Sequence, residues 1–156
     1  MFKQSHRVRF VINSLSEERE MVRLTKKKDG WFKVNKYHFL VPNGPLEDVY
    51  QKEDYMKRTL VLERIWRKEE QKFFSILDDF FGRRIKRVIV HITKYGVGGG
   101  YFLPNHVYLN CALPFDSMKT IKHEILHLVV ESYIQKYKVS HSKKEKLVDC
   151  LMGLFG

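Results

Sequence analysis

Apolar positions recur along this chain with two different periods, and the places where the period changes mark out its elements. Arg7-Val8-Arg9-Phe10-Val11-Ile12 is rich in β-branched and aromatic residues and predicts a strand. Met21 to Leu24 and Trp31 to Val41 read as two more strands. They flank Lys26-Lys27-Lys28-Asp29-Gly30, where Asp-Gly suits a hairpin turn. Pro42-Asn43-Gly44-Pro45 breaks the pattern and is the strongest internal boundary. Residues 1–45 are therefore expected to form a β-rich N-terminal extension, with the main domain at 46–156. From 46 to 81 the period lengthens towards 3.6. Met56, Leu60, Ile65, Trp66, Phe73, Ile76, Leu77, Phe80 and Phe81 predict a helix long enough to hold an internal break. Glu47 and Asp48 suit its first turn, where acidic groups complement the helix dipole, and Gly82 suits its end.

The second half repeats the change of period. Arg87 to Thr93 reads as a buried strand, and Val107 to Asn110 as a second, short one. Asp116 or Ser117 offers an N-cap for a helix over about 118–137, and a last helix starts near Ser142. The fold class expected is α+β, a small mixed sheet packed against helices.

Length and charge narrow the picture. The chain has 156 residues, 44% apolar and 30% charged, a globular balance. Lys and Arg number 29 against 18 Asp and Glu, a formal charge of +11. Residues 1–36 hold ten of those cations against four acids. Such a surface attracts polyanions, so a weak nucleic-acid interaction through it is one expectation. Cys111 and Cys150 are too few for a disulfide scaffold and read as buried small hydrophobes. The first ten residues carry no apolar leader, and no apolar run approaches the roughly 20 residues a bilayer requires. A cytoplasmic protein without a membrane segment is expected, of undetermined oligomeric state.

Candidate chemistry sits at His123-Glu124-Ile125-Leu126-His127, an H-E-x-x-H within the first of the two last helices. Residues four apart share one helix face, so both imidazoles can ligate one Zn²⁺, and Glu124 beside them can act as general base towards an attacking water. The flanks Ile121, Ile125, Leu126, Leu128, Val129 and Val130 make the helix apolar almost all round, hence buried. Buried polar groups need partners, and a metal supplies them. Glu131 continues the i, i+4, i+8 series but lies about 12 Å along the axis from His123, too far to share the ion. It suits the surface or an outer layer of the site. A metzincin is excluded, because Val130 and Tyr133 stand where that class needs Gly and His. His141 remains open as a third ligand, or as a group that stabilises a tetrahedral oxyanion. His91 reads as a core histidine. Phe73, Phe74, Phe80 and Phe81 read as core packing, and the Lys/Arg clusters as solvated faces.

Glu145-Lys146-Leu147-Val148-Asp149 follows on the last helix. Together with the H-E-x-x-H, this E-x-x-x-D resembles the gluzincins, the thermolysin-like zinc peptidases, over about residues 88–150. The resemblance implies a compact zincin-like domain with one Zn²⁺ held by His123, His127 and Glu145. It also implies that Asp149 orients His123, and that peptide bonds are hydrolysed with Glu124 as base. Lys144 stands where the family usually has Asn. Glu145 has a rival structural use, since Ser142-Lys143-Lys144-Glu145 is also a capping box. In gluzincins an edge strand before the H-E-x-x-H helix binds substrate backbone by strand addition. Gly98, Gly99 and Gly100, flanked by Tyr101, suit that substrate-binding role, and equally suit a flexible hairpin loop. A peptide or protein is the partner implied. The alternatives are a nucleic-acid-associated protein, and a latent zincin whose cleft is occupied by residues 1–45 or whose metal is structural.

Overall fold

Four strands form a mixed sheet in the order β1-β3-β6-β5: β1 (Val8–Ile12), β3 (Val88–Thr93), β6 (His106–Asn110) and β5 (Gly99–Phe102). β1 and β6 run parallel to β3, and β5 runs antiparallel to β6 at the sheet edge. A separate two-stranded ribbon joins β2 (Phe39–Leu40) to β4 (Gly96–Val97). Among the described residues there are six α-helices, α1 (Leu15–Lys27), α2 (Asp29–Val34), α3 (Leu46–Val49), α4 (Glu53–Phe81), α5 (Ser117–Lys136) and α6 (His141–Met152), and a closing 3-10 turn at Gly153–Phe155. This computed structural model describes residues 6–156; residues 1–5, half of the stretch read for a leader, lie outside the described residues. The class is α+β with a small mixed sheet, as expected.

Strand alternation builds the core. Val88, Val90 and Ile92 of β3 and Val107 and Leu109 of β6 are buried, and α4 and α5 pack against the sheet. Trp66 of α4 is fully buried and meets Phe73 and Phe74 edge-on. The other sheet face carries His91, whose Nε2 lies 2.9 Å from His106 Nδ1, with Phe102 and Tyr108 around the pair. His91 is thus a satisfied, half-buried histidine.

Three expectations are corrected. The strands expected at 21–24 and 31–41 are α1 and α2, with only Phe39–Leu40 extended. For 21–24 the reason is a capping box at the start of α1 itself. The Glu17 amide donates to Ser14 Oγ (3.2 Å) and the Ser14 amide to Glu17 Oε2 (2.7 Å), which starts a helix through Met21. Trp31, Phe32, Tyr37 and Phe39 then form an aromatic cluster rather than a strand face. In α4 the buried stripe is Tyr55, Leu62, Trp66, Phe73, Phe74 and Leu77. Met56, Leu60, Ile65 and Phe80 face outwards, because the core-facing phase begins at Tyr55. The internal break allowed for in the 46–81 helix falls at Tyr50, between α3 and α4. Cys111 is buried, whereas Cys150 is exposed on α6.

The N-terminal strand is fastened to α4 by one buried carboxylate. Glu70 accepts hydrogen bonds from the Arg7 amide (2.7 Å), the Val8 amide (2.9 Å) and Arg67 (2.8 Å), and contacts His6 at 2.8 Å. Arg7 in turn pairs with Asp78 (2.7 Å) and stacks its guanidinium on Phe74. Burial raises the Glu70 pKa, but the donors from Val8, Arg67, His6 and Arg7 outweigh it, and the carboxyl titrates below its ordinary 4.5. A depressed folded pKa gives stability that is present above the unfolded value and lost as pH falls through the folded one. Glu70→Gln is expected to cost about 2–3 kcal/mol in urea unfolding at pH 7. That gap should close as pH drops below about 4.5.

Candidate metal centre

Helix α5 carries the H-E-x-x-H, and its start is fixed by Asp116, whose Oδ1 accepts from the Lys119 amide at 3.1 Å. Ile121, Ile125, Leu126, Leu128, Val129 and Val130 are all buried, so the helix is pressed into the core on most sides. His127 and Glu124 are buried with them, and His123 is partly buried. The i, i+4 spacing brings the two imidazole Nε2 atoms to 3.0 Å from each other.

Helix α6 delivers the third group. Its N-cap is Ser140, whose Oγ accepts from the Lys143 amide, so the Ser142 capping box is not formed. Glu145 therefore stands one turn into the helix with its carboxylate free. One oxygen lies 3.4 Å from His123 Nε2 and the other 3.4 Å from His127 Nε2. His123, His127 and Glu145 are the one group of three such donors, among the described residues, within 4.8 Å of one another. The two imidazole nitrogens and the carboxylate stand close enough to share a small cation, with each Nε2 facing a different Glu145 oxygen. For zinc at about 2.0–2.1 Å from each donor, tetrahedral neighbours stand about 3.3–3.4 Å apart. The triad could hold a metal ion.

The surrounding charges are those such a site requires. Hydrogen bonding to Glu145 raises the His123 pKa against the opposing effect of burial, and the Glu124, Glu145 and Asp149 charges add to the rise. Contact with His123 and then His127 holds the Glu145 carboxyl far below the usual carboxylate range. Asp149 Oδ1 lies 3.7 Å from His123 Nδ1, on the ring's far side from Glu145 Oε2. Glu124 is different: burial pushes its pKa up to about 7, with His123 and Lys144 pulling down and Glu145 pushing up. A carboxyl that titrates near neutrality can both take and return a proton.

A cavity of about 330 Å³ opens beside Glu124 and His123. Gly98 and Gly99 line it together with Val97, Phe115, Lys119 and Tyr37. The glycines are needed for close approach. A Cβ on Gly99 would lie 2.4 Å from Thr120 Cγ2 and 3.1 Å from Glu124 Oε1, and one on Gly98 would lie 2.4 Å from the Phe115 ring. Gly100 meets nothing closer than Tyr108 at 4.0 Å. The stretch is an edge strand rather than a loose loop, with β6 on one side only. Tyr101 points to α5 instead of into this cavity; its ring stacks on His127. His141 stands beside the triad rather than in it. Its Nδ1 is 3.9 Å from Glu145 Oε1, its Nε2 is 3.4 Å from the Tyr37 hydroxyl, and Trp31 meets its ring edge-on.

Tyr37 is the site residue that sequence reasoning missed. It belongs to the aromatic cluster that follows α2, and no local signal ties residue 37 to a helix that begins 80 residues later. Thr120 was legible in principle, since it lies one turn before Glu124 on the same face. No family model, curated protein or solved structure matches the chain. Among the described residues, no helix is long and apolar enough to cross a membrane.

The purified protein is expected to take up one Zn²⁺ per chain by elemental analysis. His127→Ala and Glu145→Ala should each weaken binding at least about 100-fold. Because the imidazoles must lose their protons to bind metal, and the Glu145 contact raises the His123 pKa from its ordinary value, affinity should rise between pH 6 and 8. A chelator-competition titration across that range checks the sign.

Proposed function

We propose that the chain is a zinc-dependent metallopeptidase of gluzincin-like architecture, which cleaves peptide bonds at the α5–α6 site. The observation that carries this reading is the convergence of His123 Nε2, His127 Nε2 and the Glu145 carboxylate at separations of 3.0, 3.4 and 3.4 Å, with Glu124 buried in the adjoining cavity. When bound, Zn²⁺ supplies Lewis acidity, which lowers the pKa of water and polarises a carbonyl oxygen. The protein's own groups do the rest. Glu124 accepts a proton from the attacking water and delivers it to the departing amine, a round trip suited to a carboxyl poised near pH 7. Gly98 and Gly99 bring the edge strand close to Glu124, so that an extended peptide added to β5 would lie across the base. Tyr37 lines the same cavity with His141 beside it, and an imidazole N–H or the phenol O–H could donate to a developing oxyanion.

Glu124→Gln is expected to retain one zinc per chain and to lower the hydrolysis of an unstructured protein such as casein by about 10²–10⁴-fold. Undiminished hydrolysis with metal retained would remove Glu124 as the base. Dialysis against a chelator should abolish activity, and added Zn²⁺ should restore it.

A second reading concerns access. Trp31 and Tyr37 come from the segment before Pro42, stack on one another at 5.5 Å and bracket His141. That packing supports a role for this segment in governing entry to the cleft. Trp31→Ala should then raise kcat/KM for a protein substrate more than for a short peptide, whereas equal changes would assign the cluster to packing alone.

A further inference from the structure

Metal-bound histidines usually donate their second ring nitrogen to a carboxylate or carbonyl, which fixes ring orientation. His123 has Asp149 on that side at 3.7 Å. Among the described residues His127 has no such partner: its Nδ1 is buried and makes no hydrogen bond, and the residue is only 2% exposed. The ligand ring deepest in the core thus lacks the usual support.

Another device occupies that position. The Tyr101 ring lies flat on the His127 imidazole, with centroids 4.8 Å apart and planes 7° from parallel. The phenol is itself held at its far end. Its hydroxyl donates to Glu131 Oε2 at 2.6 Å and accepts from Lys144 Nζ at 3.0 Å. Glu131 is one turn beyond His127 on α5, and its other oxygen accepts from Gln135 at 3.2 Å. Lys144 immediately precedes Glu145 on α6. One phenol therefore ties the edge strand to both ligand-bearing helices, and its ring face sets the plane of His127. Strand alternation makes this possible: Gly99 and Tyr101 share the α5-facing side of β5, so that Gly99 lets the strand approach Glu124 and Tyr101 then meets His127.

We propose that Tyr101 is the positioning residue for the His127 ligand, acting by ring stacking in place of a hydrogen bond to Nδ1, with Glu131 and Lys144 locking the phenol. This assignment rests on the metal-centre reading of His123, His127 and Glu145. It moves Tyr101 from the substrate cleft to the support of the metal, and it gives Glu131 and Lys144 a part in the site. Stacking restrains tilt without taking the Nδ1 proton, so it orients the ring and leaves the ligand's basicity alone.

The test is zinc affinity by chelator competition, together with the visible spectrum of the Co²⁺-substituted protein, on wild type, Tyr101→Phe, Tyr101→Leu and Glu131→Gln. Thermal melts of the metal-free proteins establish that each variant folds. Tyr101→Leu is expected to weaken zinc binding about 10–100-fold, the loss typical of an outer support, and to change the Co²⁺ bands. Tyr101→Phe keeps the ring face and should restore most of the affinity. Glu131→Gln changes a partly exposed side chain, so it is expected to fold as wild type while shifting the Co²⁺ spectrum in the same direction as Tyr101→Leu. Wild-type affinity and an unchanged spectrum in Tyr101→Leu would overturn the positioning role while the metal centre stands. Failure of wild type to bind zinc or cobalt would overturn the metal-centre reading itself.

Discussion

Two imidazoles and two carboxylates meet on the buried side of α5, and a group of that kind persists in a protein interior only if its charges and lone pairs are matched. An isolated carboxylate moved from water into such surroundings would be neutralised or expelled. Here the matching is specific. Glu145 lies between His123 and His127, and its carboxyl is held ionised by both, while Glu124, with no donor of its own, is pushed towards neutrality by burial. The helix repeat fixes the two histidines relative to each other, and α6 must then supply a carboxylate at one height and no other. The other parts of the site, the cap at Ser140 and the approach of β5, serve that placement.

The sheet edge is the second half of the arrangement. β5 is short and glycine-rich, features that would suit a loop, yet its register against β6 sends Gly99 and Tyr101 to the same side. The smallest side chain and one of the largest thus face, from β5, the stretch of α5 that carries Glu124 and His127. Gly99 leaves room where Thr120 and Glu124 stand, and Tyr101 fills the space over His127. Among the described residues His127 Nδ1 has no hydrogen-bond partner, and the Tyr101 ring face is what packs flat against that imidazole.

Much of this was legible in the sequence wherever the signal was local. Helical spacing found His123, Glu124 and His127, and Asp116 marked the start of their helix. The E-x-x-x-D pattern pointed to Glu145 and Asp149, which the fold brings to His123. What was not legible depended on tertiary context. The strand expected at 21–24 became part of α1 because Ser14 and Glu17 cap a helix whose interior residues also suit a strand, and at 31–41 Trp31, Phe32, Tyr37 and Phe39 cluster with one another instead of alternating across a sheet. Ser140 displaced Ser142 as the α6 cap by two residues, which released Glu145 for the site. The place of Tyr37 beside His141, and that of Tyr101 on His127, follow from packing between segments far apart in the chain. No periodicity encodes such contacts.

The claim on which the account turns is that His123, His127 and Glu145 hold one metal ion through nitrogen and oxygen alone. X-ray absorption at the zinc edge of the loaded protein tests it most directly. The account predicts a first shell of about four nitrogen and oxygen scatterers near 2.0 Å, with the outer-shell signature of two imidazoles, reduced to one in His123→Ala. A first shell containing sulfur at about 2.3 Å, or an imidazole signal unchanged by that substitution, would contradict it.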